Sequence, residues 1–464
     1  MAPRPPLKGL SSQSQTIKDE PAPPSLAPDY FYLTVIMPKS YTFKALRHRN
    51  FRLFYTGQMI SLTGSWMQSV AFSWLVLVLT NSSFYLGLVG ALQTLPVLLF
   101  SFLGGVVADH TSRLRLMFLT QASLMFLALA LGLLVDLGLI HIWDLCIIVF
   151  LSGTVMAFDI PARQAFIVEL VGKADLPNAI ALNSTLFNAT RVLGPAVGGA
   201  VIAAVGMANC FFLNAASFLA VLLALALMKL PPAPLSHWTP FLHAWKEMLD
   251  YLWTRRELRL VLLLMSLVAL FAMPFYVLLP MLARATLGVG PRGFGLLMAT
   301  SGLGAFLGGL TLARRLQSRP PMPSFLTGMG LFLLGLVGLG LCGNYYAALG
   351  CIFLAGFGLV TQLSTGNSLL QLNVPDELRG RLMSLFGLIV MGFAPVGSMV
   401  YGVTAHYFGP GPAITGGSLF AALGAGVVLL RYPELYRLDF TELEPPKPKP
   451  ESEAGETDFP IYRG

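Results

Sequence analysis

The sequence predicts an all-α polytopic membrane protein, with twelve transmembrane helices arranged as two pseudo-symmetric six-helix bundles. Three observations carry that prediction: the hydropathy of the chain, the recurrence of long uncharged stretches, and a weak internal repeat. Of 464 residues 55% are hydrophobic and only 11% charged, with a mean hydropathy of +0.70. Soluble domains carry roughly 25% charged residues, so this composition excludes a soluble multidomain enzyme. An apolar stretch of about 18 residues or more is long enough to cross a hydrocarbon core as a helix. Such stretches fall at 51–80, 84–108, 114–138, 144–170, 176–205, 208–229, 259–286, 292–313, 322–342, 345–372, 380–407 and 412–431.

Composition shifts divide the chain further. Residues 1–44 are rich in Pro, Ser and charge and lack a signal-peptide core, which predicts a disordered cytoplasmic extension. Residues 45–229 form the N-terminal bundle and 259–431 the C-terminal bundle. The tail 432–464, with its PPKPKP run and acidic end, reads as a second cytoplasmic extension. The linker 230–258 sets Trp238, Trp245, Tyr251 and Trp253 among Lys246, Arg255 and Arg256. That mixture predicts an amphipathic helix lying on the inner leaflet, with a solvated linker as the competing reading.

The net charge of +8 sits in short basic clusters between apolar segments and not on one folded face, so it marks topology and no nucleic-acid partner. All but three of the 30 Lys and Arg fall on one side or edge; Arg284 and Arg292 lie opposite and Arg191 lies within the bilayer. The excess places both termini in the cytoplasm. Cys146, Cys210, Cys342 and Cys351 lie in or beside apolar segments without metal-ligand spacing, so they read as plain helix residues and no metal is expected.

The internal repeat pairs ELVGKADLPNA at 169–179 with QLNVPDELRGR at 371–381, and GPAVGG at 194–199 with APVGS at 394–398. Parallel repeats of this kind place a site near the midplane between the halves, and rocking one half against the other gives alternating access.

Four groups of residues stand out. After the second span, GGVVADHTSRLR offers glycines Gly104 and Gly105 for close helix approach, then Asp109, Arg113 and Arg115 as an ionic latch. An ordinary helix end with positive-inside charges would look the same. In the fourth span Asp159 and Arg163 are four residues apart on one face, with Gln164 beside them. Ionisable groups at that depth turn inward and pair, either as a structural brace or as a gating or proton-sensing site. Arg191 in the fifth span lies roughly 22 Å from its inner end at 1.5 Å per residue. It needs water, an acid or backbone carbonyls, and it serves either the cavity or a neighbouring helix end. Gly194, Pro195, Gly198 and Gly199 follow as a close-packing, bending run. Finally, Gln58, Gln93, Gln164, Asn188, Gln362 and Asn367 are polar groups in apolar helices, which line a substrate pathway or act as interhelical glue.

The span from about 43 to 431 resembles the major facilitator superfamily, in the branch of the enterobactin exporter and the macrolide efflux proteins. The resemblance rests on RNFRLFYTGQMISLTGSWMQ at 49–68, GGVVADHTSRLR at 104–115, DIPARQAFIVELV at 159–171, RVLGPAVGG at 191–199 and VPDELRGRLMS at 374–384. It departs at Ser65, where the branch often has an acid, at His110, where it usually has Arg, and in GGLTLARR, which lacks an acid. The resemblance implies the major facilitator fold and a monomer in a bacterial inner membrane. It also implies export of a hydrophobic or amphipathic drug or siderophore by proton-coupled antiport. Asp159 is then the expected proton carrier, because Asp109, Asp136, Asp144 and Glu169 sit at the interfaces. Permanent pairing with Arg163 would remove it from that role. Arg191 would favour one cavity state or meet an anionic group of the substrate.

Two alternatives accompany that expectation: a lysophospholipid transporter, for which membrane lipid is the partner, and a non-transporting sensor or scaffold acting through the terminal extensions. No GxxxxGK[ST], HExxH or strand–turn–helix GxSxG is present, so neither enzymatic chemistry nor a cofactor is expected. The glycines of GLGAFLGG at 302–309 read as a packing face.

Overall fold

The computed structural model describes residues 43–228, 241–315 and 321–436. The expected extension 1–44 therefore lies almost wholly outside the described residues, as do the linker before residue 241 and the tail beyond residue 436.

Among the described residues twelve helices are long and apolar enough to cross a membrane: α1 Arg49–Thr80, α2 Ser83–His110, α3 Arg113–Asp136, α4 Ile142–Gly172, α5 Ala174–Val205, α6 Met207–Ala226, α7 Arg256–Thr286, α8 Pro291–Ala313, α9 Pro321–Leu341, α10 Tyr345–Leu372, α11 Leu378–Phe408 and α12 Pro410–Arg431. The expected fold class is the observed one, and among the described residues there is no strand. Each half contributes six helices. Where α4 meets α5 the chain needs a left-handed residue, and Gly172 with φ +70° supplies it without a Cβ clash.

Two helices of the second half are broken, which hydropathy did not reveal. In α7, Pro274 has no amide hydrogen to return to Leu270, and residues Met273–Leu278 tighten into a 3₁₀ turn. The Phe271 carbonyl freed there accepts a hydrogen bond from the Tyr401 hydroxyl of α11 at 2.6 Å, so the break is satisfied inside the bundle. In α11 the helical runs Asp376–Gly392 and Ala394–Phe408 meet at Phe393, just before Pro395. Gly397 of α11 lies against Leu270 and Pro274 of the α7 break.

An even number of crossings brings the start of α1, the end of α12 and the linker helix Phe241–Thr254 to one end of the bundle, here called the terminal end. At the opposite, far end the two halves are closed by small-residue seams. A Cβ on Gly87 of α2 would come within 2.6 Å of the Gly402 Cα of α11. One on Gly199 of α5 would meet the Pro291 carbonyl of α8 at 2.6 Å. Trp74 of α1 stacks on Phe294 of α8 with ring centroids 5.9 Å apart.

These seams do not continue to the terminal end. The α5 face that buries Gly199 and Pro195 runs on, in helical steps of three and four, through Asn188, Ser184 and Ala181. The last two are exposed. On α2, Leu98 still reaches Gly392 of α11, but beyond it Phe102 is exposed and a Cβ on Gly105 would meet nothing within 4 Å. The halves therefore part toward the terminal end. The linker helix Phe241–Thr254 buries Met248 and Leu252 in the core of the second half while Trp253 is 70% exposed. Its Tyr251 hydroxyl donates to the Asn373 carbonyl at 3.2 Å.

Candidate functional site

Between the halves, under the far-end seams, lies a cavity of about 300 Å³. The first half lines it with Trp66, Ser69, Phe72 and Ser73 of α1, Gln93 of α2 and Arg191 and Pro195 of α5. The second half adds Tyr276 and Val277 of α7 and Met298 of α8. Most of this wall is apolar or aromatic. Among the described residues lining it, Arg191 carries the only charge.

Arg191 stands near the middle of α5 and reaches across the cavity. Its Nη2 donates to the Tyr276 hydroxyl at 2.8 Å. That hydroxyl is also 2.7 Å from the Ser301 Oγ of α8. A chain of hydrogen bonds thus runs from the first half into the second, through the 3₁₀ break that brings Tyr276 to the cavity. The glycine run beyond Arg191 divides its work by face. Gly194 and Gly198 pack on α1 at Thr63, Trp66 and Met67, whereas Pro195 and Gly199 face Gly295 and Pro291 of α8. The run therefore joins α5 both to its own half and to the opposite one.

A second polar cluster lies inside the first half. Asp159 of α4 is fully buried, and four donors surround it. Thr120 Oγ1 and Gln121 Nε2 of α3 donate to Oδ1 at 2.7 and 2.8 Å. Arg163 Nε donates to Oδ2 at 3.1 Å, and its Nη2 closes the pair on the same oxygen. Arg163 Nη1 then reaches Gln58 Oε1 of α1 at 2.7 Å. One ion pair so ties α1, α3 and α4 together, with its charges compensated where lipid would penalise them.

At the terminal end of α2, Arg113 is bound chiefly to Glu169 of α4, with Nη1 to Oε1 at 2.6 Å, while Asp109 is 3.8 Å away and half exposed. The latch thus spans α3 and α4. Arg115 is exposed. Gly104 is the glycine that permits close packing, against the Ala157 and Phe158 backbone of α4, and Gly105 faces open space.

The remaining polar residues separate. Gln93 lines the cavity and Gln164 is exposed in the terminal half of α4. Asn188 donates to the Ser184 carbonyl of its own helix, and Asn367 accepts from Gln371 at 2.7 Å. Gln58, read as pathway liner or interhelical glue, is enclosed beside Arg163. Gln362, read in the same two ways, is enclosed where α10 packs on α9 at Gly328, with no partner for either amide atom.

Sequence reasoning missed Tyr276, Ser301, Thr120 and Gln121. The Pro274 interruption of an apolar run was a readable signal for a break beside Tyr276. Nothing local marked the other three.

The profile of the family described as "Transmembrane secretion effector" matches residues 40–458. Over 363 residues the chain is 27% identical to the staphyloferrin A transporter of Staphylococcus aureus, covering 77% of this chain and 90% of that protein. It is 28% identical over 396 residues to the enterobactin exporter EntS of Shigella flexneri, covering 82% and 91%. To the multidrug efflux pump Tap of Mycolicibacterium fortuitum it is 26% identical over 407 residues, covering 81% and 94%. Among solved structures the fold is similar to a bacterial homologue of the human lysosomal transporter Spinster, with TM-score 0.66 and 17% identity over 86% of this chain and 99% of that one. A bacterial homologue of the iron transporter ferroportin gives TM-score 0.61 at 18% identity, covering 83% and 98%.

Proposed function

The chain belongs to the transmembrane secretion effector family of major facilitator transporters, and on that premise we propose that it exports a small amphipathic molecule of the siderophore or drug class. It is a multi-pass membrane transporter; the direction, the substrate class and the orientation are the proposal. The terminal end faces the cytoplasm of a bacterial cell, so the state described is open inward. Substrate enters between the parted terminal halves and rests in the cavity under the far-end seams. Closure at the terminal end and parting of those seams then release it outside.

The observation that carries this reading is Arg191, the charged liner of an otherwise apolar cavity between the halves. A cation there, hydrogen-bonded to the Tyr276 hydroxyl and facing no acid among the cavity liners, favours a ligand with an acidic group on an apolar body. Aromatic and methionine side chains adapt to such a body. The names of the siderophore and drug relatives support the same class. Proton entry is the proposed driving force. Within that cycle we assign Asp159 and Arg163 the gating role and not that of a fixed brace, because their bonds to Thr120, Gln121 and Gln58 join α1, α3 and α4 and must be remade when those helices shift.

The test is a thermal-stability shift of the detergent-purified full-length protein with staphyloferrin A, enterobactin, a macrolide and a lysophospholipid. A ligand at 100 times its dissociation constant stabilises by about 2.7 kcal/mol. A shift with a siderophore or drug that is lost in Arg191→Ala supports export through this cavity. A shift confined to the lysophospholipid replaces it with lipid transport. No shift with any of the four, in protein that melts cooperatively, removes the substrate class proposed.

A further inference from the structure

We infer that Cys342 and Cys351 are a redox pair that closes into a disulfide and staples α9 to α10 at the far end. Their sulfurs lie 3.8 Å apart. Cys342 follows the last residue of α9, and Cys351 lies in the second turn of α10, so the pair bridges a tight hairpin. The hairpin is capped and closely packed. Asn344 Oδ1 caps α10 by accepting from the Tyr346 and Ala347 amides at 2.9 and 3.2 Å. Gly338 leaves the space that the Cys351 sulfur fills, since a Cβ there would lie 2.8 Å from it. Gly335 lets α9 meet the α10 backbone at Cys351 and Ala355 in the same way. Formation of the bond brings the sulfurs from 3.8 Å to about 2.0 Å. Both are partly exposed, whereas Cys146 and Cys210 are buried.

The far end faces outside in the orientation proposed above, and the reaction in cells rests on that reading. Extracytoplasmic spaces keep disulfides oxidised. The oxidant is a thiol–disulfide oxidoreductase of that space. One cysteine, as thiolate, attacks its disulfide to give a mixed disulfide; the second displaces the enzyme's sulfur. The Cys342–Cys351 bond forms, the enzyme's disulfide becomes a dithiol, and the two protons of the pair pass to it. A second effect follows from position. The Tyr345 hydroxyl donates to the Gly293 carbonyl of α8 at 3.0 Å, so the staple also steadies the start of α8 where the far-end seam is made.

The experiment counts free thiols on the unfolded full-length chain by mass-tagged maleimide. Reduced protein takes four tags, for the four cysteines of the sequence. After incubation of the folded, detergent-purified protein with oxidised glutathione, two tags and a mapped Cys342–Cys351 peptide are expected. Cys342→Ser and Cys351→Ser each hold three thiols and should give no cysteine–cysteine peptide after oxidant, the remaining partner ending at most as a glutathione adduct. Four tags after oxidation, or a mapped bond between other cysteines, overturns the inference. Intact cells quenched with acid separate it from the orientation. Two tags there support both. Four tags in cells but two after oxidant in detergent keep the pair and remove the outward placement of the far end.

Discussion

The Arg191 guanidinium bonds the Tyr276 hydroxyl at 2.8 Å, and that bond joins α5 of the first half to α7 of the second. It lies directly under the seams that close the far end. Rocking the halves to open those seams must lengthen or remake it. The bond is therefore a strut of the state open at the terminal end, and it occupies the same guanidinium that an acidic ligand would take. Ligand binding and release of the strut are then competing events at one side chain, which is how a substrate can bias a two-state equilibrium.

Tyr276→Phe removes the strut and keeps the ring. A hydrogen bond to a charged group contributes about 1.5–3 kcal/mol, so the balance should move toward the state closed at the terminal end by about tenfold or more. Ser184, exposed on the parted α5 face, gives the readout as Ser184→Cys. Its alkylation from the terminal end should slow in the Tyr276→Phe background. An unchanged rate would show that the hydroxyl does not hold the halves.

Asp159→Asn leaves Arg163 without its anion, and Arg163→Gln leaves a buried carboxylate without its cation. Breaking one partner of a buried pair costs about 3–5 kcal/mol, and each variant should lower the melting temperature of the purified protein substantially. The double variant should lose less than the sum of the two, because neither charge then remains uncompensated. Strict additivity would mean that the two side chains are held independently by Thr120, Gln121 and Gln58.

The architecture was legible because lipid imposes long uncharged helices, and α1 to α12 lie within a few residues of the stretches read from hydropathy. The Asp159–Arg163 pair was legible too, since i and i+4 share a helix face. The other donors to Asp159 were not, because Thr120 and Gln121 come from 39 and 38 residues away in sequence. Tyr276 looked like any aromatic in an apolar run; only the fold brings it to Arg191, 85 residues earlier. The two cysteines nine residues apart read as plain helix residues until the α9–α10 hairpin set them side by side. Gly104 and Gly105 look equivalent in the motif. Which one packs depends on a rotation of about 100° per residue about the α2 axis.

That rotation yields a contrast. A side chain on Gly104 would strike the α4 backbone, with the Phe158 Cα only 3.0 Å from the Cβ position. Gly104→Leu should therefore destabilise the fold by about 1–3 kcal/mol or more. Gly105 lies eighteen residues beyond Gly87, five full turns at 3.6 residues each, and so shares the α2 face that meets α11 at the far end. Gly105→Leu should melt like the unmodified protein yet fail to close the terminal end. Alkylation of Ser184→Cys would stay fast with substrate present, and export would stop. Normal export by Gly105→Leu would show that this α2 face never meets α11 at the terminal end.

Gln362 tests whether the second half also hides a polar group for another state. Its amide is wholly enclosed and neither its nitrogen nor its oxygen has a partner, although the neighbouring Thr361 and Thr365 hydroxyls bond their own helix. A buried amide without partners costs about 1–3 kcal/mol. Gln362→Met keeps the volume and removes the two unsatisfied groups, so the melting temperature should rise, by the equivalent of about 1 kcal/mol. A fall would mean that Gln362 is hydrogen-bonded in the resting state, to water or to a shifted neighbour. Export measured on the same variant then divides the remaining readings. A more stable protein that still exports marks Gln362 as surplus polarity in a packed helix interface. A more stable protein that no longer exports places its partner in the state closed at the terminal end, because only there would the lost hydrogen bonds be made.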